Sequence, residues 1–138
     1  MADLTVASQR AELNAWQRKL EEQGDNRSAE IVKRLLRSGS AFVSDNNHAA
    51  YESGLAVWLT DNCKYSNRPH GLMVYLKREK LAKEPAFGIE YRQRASGDWI
   101  AHLSGNPDIW ETGSDLATTI GYLIVSLSKH NLVSLKES

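Results

Sequence analysis

Apolar residues recur at Val6, Leu13 and Leu20, with Ala15 and Trp16 beside them. One stripe at that spacing predicts a helix over residues 5–23. Gly24 follows where a left-handed cap is wanted. Asp25 and Asn26 then offer N-caps for a second helix. Its apolar face is Ile31, Val32, Leu35 and Leu36. Its last turn carries Lys33, Arg34 and Arg37, the sign that suits a helix C-terminus. Gly39 ends it, and the short link predicts an antiparallel helical hairpin.

The pattern is less decided in the middle of the chain. "DNNH" is a turn and cap cluster. After it, Tyr51, Leu55, Trp58 and Leu59 lie at helical spacing and favour a helix over residues 48–62, with a strand at "LAVWLT" as the rival. Gly54 counts against the helix. "KYSNRPHG" reads as a loop. "LMVYLKREKLAKE" is either a buried strand running into a tail or a helix with Leu72, Tyr75, Leu76 and Leu81 inward; Pro85 ends it in both cases.

From Phe87 the period changes to two. Phe87, Ile89 and Tyr91 share one face, Glu90 and Arg92 the other, which predicts a half-buried strand. "ASGD" is a hairpin turn. "WIAHL" is the next strand, "SGNPD" a loop, and "IWET" a short third strand. Gly113 and a cap at Ser114 or Asp115 then open a helix to about Lys129, with Leu116, Ile120, Leu123, Ile124 and Leu127 buried. The tail "NLVSLKES" offers one more edge strand. The chain is thus expected to be a single α+β domain over residues 1–138. Residues 1–63 are mainly helical, and 64–138 form a small antiparallel sheet covered by a C-terminal helix.

Composition narrows the function classes. At 138 residues there is room for one ordinary domain, and 41% hydrophobic with 25% charged residues is a globular balance. A net charge of zero removes the usual basic signature of a general nucleic-acid binder. One cysteine, Cys63, cannot staple a secreted scaffold. The N-terminus lacks a signal-type apolar core, and the run "GYLIVSL" is too short to span a bilayer. A cytoplasmic protein without a membrane partner is expected. Charge is uneven, however. Residues 64–83 hold Lys64, Arg68, Lys77, Arg78, Lys80 and Lys83 against Glu79 alone, a local excess of +5.

Catalytic chemistry finds little support. His48, Cys63, His70 and His102 show no CxxC, HxxxH or HExxH spacing, so neither a metal nor another cofactor is expected. Lys64 beside Cys63 could lower the thiol pKa, but no local triad signature accompanies it, and the thiol reads as incidental. Glu90, Asp98 and His102 fall on one hairpin, with His102 facing either solvent or a second binding face. Phosphate loops and dinucleotide fingerprints are absent.

Binding chemistry has two candidates. Tyr65 and Tyr75 lie among Lys64, Arg68, Lys77 and Arg78, the pattern of a nucleic-acid or acidic-partner site. Trp99 and Trp110 bracket Asn106 and Pro107, and a Trp in a very short strand is hard to bury fully. Partly exposed Trp anchors protein interfaces.

Gly97, Asp98, Ile100 and His102 in the hairpin, Pro107, Gly113 and the helix "SDLATTIGYLIVSLSKH" resemble the HicB family of antitoxins. The core of that family is a partly degenerate double-stranded-RNA-binding fold. The resemblance covers residues 87–130. Family members usually begin with this unit, whereas here it follows a helical part, so no toxin-facing residue is carried over. The resemblance implies a binding module. The expected role is a non-catalytic protein that blocks or tethers another macromolecule: antitoxin-like, immunity-like or a phage-encoded inhibitor. Its partner is expected to be another protein. The alternatives are a nucleic-acid-binding accessory protein using residues 64–83 and a small-molecule-binding domain. A homodimer stays open.

Overall fold

The computed structural model describes residues 2–38, 48–65, 76–78, 88–104 and 106–137. Their order is α1 (Ala2–Glu22), α2 (Asn26–Arg37), α3 (His48–Asn62), β1 (Cys63–Tyr65), β2 (Leu76–Arg78), β3 (Ile89–Gln93), β4 (Trp99–Leu103), β5 (Asn106–Gly113), α4 (Leu116–Lys129) and β6 (Val133–Leu135). The fold is α+β, with the N-terminal helical hairpin in place.

α1 buries Leu13 and Leu20 with Val6 and Trp16 half-buried beside them, the stripe read from the spacing. The chain reverses at Gly24, whose φ of +79° is open to glycine at no steric cost. Asp25 caps α2 by accepting from the Ser28 N–H at 3.2 Å. The Ser28 hydroxyl first, and this N–H after it, hold the Asp25 carboxyl below its ordinary range. Arg10 Nη1 donates to the Leu36 carbonyl at 2.7 Å and ties the two helices together.

α3 resolves the choice at residues 48–62 as a helix. Tyr51, Leu55, Trp58 and Leu59 are its buried face, and the Trp58 indole N–H donates to the Arg34 carbonyl at 3.2 Å. One strand arises where a loop was expected to begin. Lys64 and Tyr65 belong to β1, which pairs antiparallel with β6, the edge strand expected in the tail. Of the undecided stretch, residues 76–78 form β2, parallel to β3. Arg68, Tyr75, Lys80 and Lys83 lie outside the described residues.

The main sheet has the order β2-β3-β4-β5, so its three-stranded antiparallel part is joined by a parallel edge. The β3–β4 turn places Gly97 at φ +95°, and Asp98 accepts from Arg94 and Ser96 across it. Arg94 first, then Ser96, holds the exposed Asp98 carboxyl at about 2. β5 differs most from expectation. It begins at Asn106 and runs for eight residues, so Asn106 and Pro107 are in a strand rather than a loop, beyond a register irregularity at His102/Leu103.

α4 is capped by Asp115, which accepts from the Thr118 N–H at 2.7 Å and the Thr118 hydroxyl at 2.9 Å. Its expected face is buried: Leu116, Ile120, Leu123, Ile124 and Leu127. So are Thr118, Thr119, Gly121, Val125 and Ser128, because α4 is a central element and not a lid. The sheet covers one side, and the α1–α2 hairpin covers the other. Gly121 permits this: a Cβ there would lie 3.3 Å from Leu13 Cδ2 and 3.5 Å from Leu35 Cδ1. Asn131 at φ +59° ends the helix in a left-handed cap, with the Leu132 N–H bonded back to the Leu127 carbonyl at 2.9 Å. One hydrophobic cluster runs from Leu13 to Val133 through all four helices. Among the described residues no helix is long and apolar enough to cross a membrane.

Candidate binding face of the sheet

Strand alternation sorts the sheet into two faces. Ile89, Tyr91, Ala101, Leu103 and Ile109 are buried on the face toward α4. The opposite parity forms an outer face. Its register aligns Glu90, His102 and Trp110 in one row across β3, β4 and β5, and Arg92, Ile100 and Thr112 in the next.

Trp110 is 52% exposed, and only Val57 joins it as an exposed large apolar side chain among the described residues. Beside it, His102 Nε2 lies 3.6 Å from Glu90 Oε2, with side-chain exposures of 16% and 13%. The two are cross-strand neighbours, so their contact follows from register alone. Glu90 and His102 do face away from α4, yet they are largely covered. Arg92 is exposed at one corner and Asp108 at another. The face therefore has an open indole at its β5 edge, with His102 and Glu90 beside it.

Trp99, grouped with Trp110 from sequence, has the other parity. It is half-buried, 5.9 Å ring to ring from His48 and 6.2 Å from Tyr91. The two tryptophans do not share a surface. Asn106 and Pro107 share a strand with Trp110. Lys64 is exposed on β1, in the other sheet; Lys77 and Arg78 sit on β2. The described part of the basic stretch is thus divided between two sheets.

Two polar clusters went unseen in the sequence, since each is assembled from distant segments. In the first, the fully buried Tyr91 donates its hydroxyl to Glu52 Oε1 and lies 3.3 Å from His48 Nδ1. Nearby Tyr51 is buried with no hydrogen-bond partner for its hydroxyl among the described residues, and burial pushes its phenol well above the usual range. In the second, the half-exposed Tyr122 meets Trp16 edge-on at 4.5 Å. Burial raises its phenol, and Glu12, Asp115 and Glu111 raise it further. The Asp115 carboxyl is itself raised by burial and by Glu12 beside it. Ser114 donates to Glu12 at 2.9 Å and Ser126 to Glu111 at 2.6 Å.

A cavity of about 480 Å³ also opens between α2, α3 and the tail, against Arg34, Arg37, Val57, Trp58, Asp61 and Lys136. Its charges are mixed and part of them is spent internally. Arg34 Nη1 donates to the Lys136 carbonyl at 2.7 Å, and Lys136 Nζ to the Thr60 carbonyl at 2.7 Å. No group of three or more His, Cys, Asp or Glu is placed to hold a metal among the described residues.

Cys63 is buried. Burial pushes its thiol up to about 11, and the nearby Arg34 and Lys136 offset this only in part. Lys64, its chain neighbour, takes the opposite strand parity and is exposed. At pH 8 a small thiol reagent is expected to modify the folded protein about a hundredfold more slowly than the urea-unfolded chain. Equal rates would show that the thiol is accessible.

No protein-family model matches the chain, and no curated protein or solved structure is significantly similar to it.

Proposed function

We propose that the protein is a non-catalytic binding protein that docks another protein on the outer face of its sheet, around Trp110, and so blocks or tethers it. The exposure of the Trp110 indole carries this reading. A strand residue at that position needs no large aromatic for the core, since its side chain points away from it. An open indole beside the His102–Glu90 contact, on a face that also carries the exposed Arg92, sets an apolar anchor among polar neighbours, the composition in which interface hot spots occur. The resemblance of residues 87–130 to HicB-type antitoxins adds inhibition to the proposed role, in an antitoxin-like, immunity-like or phage-encoded setting.

The test compares wild-type protein with Trp110→Ala. The variant is expected to bind the captured partner about 2 kcal/mol more weakly. Its unfolding free energy is expected to stay within about 1 kcal/mol of wild type, since a side chain this exposed contributes little to the core. A partner retained equally by both proteins would remove Trp110 from the interface and this reading with it.

A further inference from the structure

We infer that the open edge of β5 takes up an extended, basic segment of the partner protein as a fifth strand of the main sheet. This rests on the binding role proposed above and names the chemistry of the partner.

β5 is the last strand of its sheet, with β4 on one side and no strand on the other among the described residues. It is eight residues long, against five for β3 and β4. Natural sheets blunt such edges with proline, inward-pointing charge or lysine. Here Pro107 protects only the start. From Asp108 to Gly113 the strand has no proline, no lysine and no arginine, and its one charge on the side toward α4, Glu111, is a carboxylate that a cation on an added strand would neutralise. An edge of this kind offers a row of backbone donors and acceptors to an added strand.

The two sides of that edge differ in chemistry. On the outer side stand Asp108 and the exposed Trp110. On the side toward α4 stands Glu111, and past it lie Tyr122, Glu12 and Asp115. The hydrogen bonds of these three carboxylates come from Ser126, Ser114 and Thr118, and no cation pairs with any of them among the described residues. Side chains of an added strand alternate between the two sides. Cations on one parity would lie against Glu111 and the Tyr122 ring, where carboxylates and a π-face both attract them. Apolar residues on the other parity would cover Trp110. A second copy of β5 fits poorly: it would bring its own Asp108 and Glu111 to an edge that already lacks positive charge.

The experiment uses the full chain and fluorescein-labelled eight-residue peptides followed by anisotropy. An alternating Lys-Val peptide is expected to bind, and to bind more weakly as salt is added. The alternating Glu-Val peptide is expected not to bind. Trp110→Ala and Glu111→Gln are each expected to weaken the Lys-Val peptide about tenfold, with Glu111→Gln also flattening the salt dependence. Two Lys-Val peptides N-methylated at alternate residues, in the two registers, leave the protein unaltered. One of them is expected to lose binding and the other to keep it, because an added strand bonds through one edge. No binding of the Lys-Val peptide, equal binding of a Lys-block/Val-block peptide, or full binding of both N-methylated peptides would each overturn the inference. So would a concentration-dependent dimer that the Lys-Val peptide does not dissociate, which would give the edge to a second copy. If the peptide fails while partner capture still depends on Trp110, the binding role stands and only the partner's chemistry was misassigned.

Discussion

Replacing Leu123 with alanine is expected to lower the free energy of unfolding by about 2–5 kcal/mol. Leu123 has no exposed surface. It sits on α4, which the sheet covers on one side and the α1–α2 hairpin on the other. Truncation loses the transfer free energy of the missing carbons and leaves a void. How far that void closes sets the position within the range. Here collapse is resisted on both sides, since α4 lies so close to the hairpin at Gly121 that a Cβ there would already touch Leu13 and Leu35. The upper half of the range is expected. Urea unfolding is the measurement, read as a lowered midpoint at unchanged m. A loss under about 1 kcal/mol would show that α4 is not the centre of the core.

Replacing Tyr91 with alanine is expected to cost about 3–5 kcal/mol, the range for a buried aromatic. The side chain is fully buried on the inner face of β3. Its ring stacks on His48 at 5.9 Å and tilts against Trp99 at 6.2 Å, so it joins α3 to two strands. Tyr91→Phe separates the ring from the hydroxyl. It keeps the packing but removes the donor to Glu52, and an under-satisfied, partly buried carboxylate costs about 1–3 kcal/mol. The pair of variants is read in the same urea experiment. A neutral Tyr91→Phe would mean that Glu52 is satisfied by water instead. A near-neutral Tyr91→Ala would mean that the ring does not carry the α3–sheet junction.

The outer face around Trp110 shows how far a sequence pattern reaches. Alternation in "FGIEYRQR" and "WIAHL" sorted Ile89, Tyr91, Ala101 and Leu103 inward, and Glu90 and His102 outward, since strand side chains alternate strictly. The short "IWET" pattern argued for a partly open Trp110 from strand length; the strand is eight residues long, and Trp110 is open because it lies on the face away from α4. The pattern could not show that β5 starts at Asn106, because proline and asparagine argue against a strand unless it lies at an edge, and being an edge is a property of the sheet. Nor could it separate Trp99 from Trp110. Their faces follow from the pairings Trp99↔Gly113 and His102↔Trp110, which no single strand contains.

What the sequence by itself determined is local. The α1 and α2 stripes, a cap at Asp25 or Asn26 and another at Ser114 or Asp115, the turn at Gly97 and the apolar face of α4 each depend on residues within a few positions of one another. Periodicity and capping chemistry act over that distance. The tertiary structure alone decided everything built from separated segments. It made α4 a central helix, through the approach that Gly121 allows. It paired β1 with β6, and set β2 parallel to β3. It brought Glu52 and His48 to Tyr91, and gathered Glu12, Glu111 and Asp115 around Tyr122. The physical reason is the same in each case. Burying the apolar stripes together is what orders the elements in space. The polar side chains they carry meet as a consequence, at distances along the chain that no local pattern encodes.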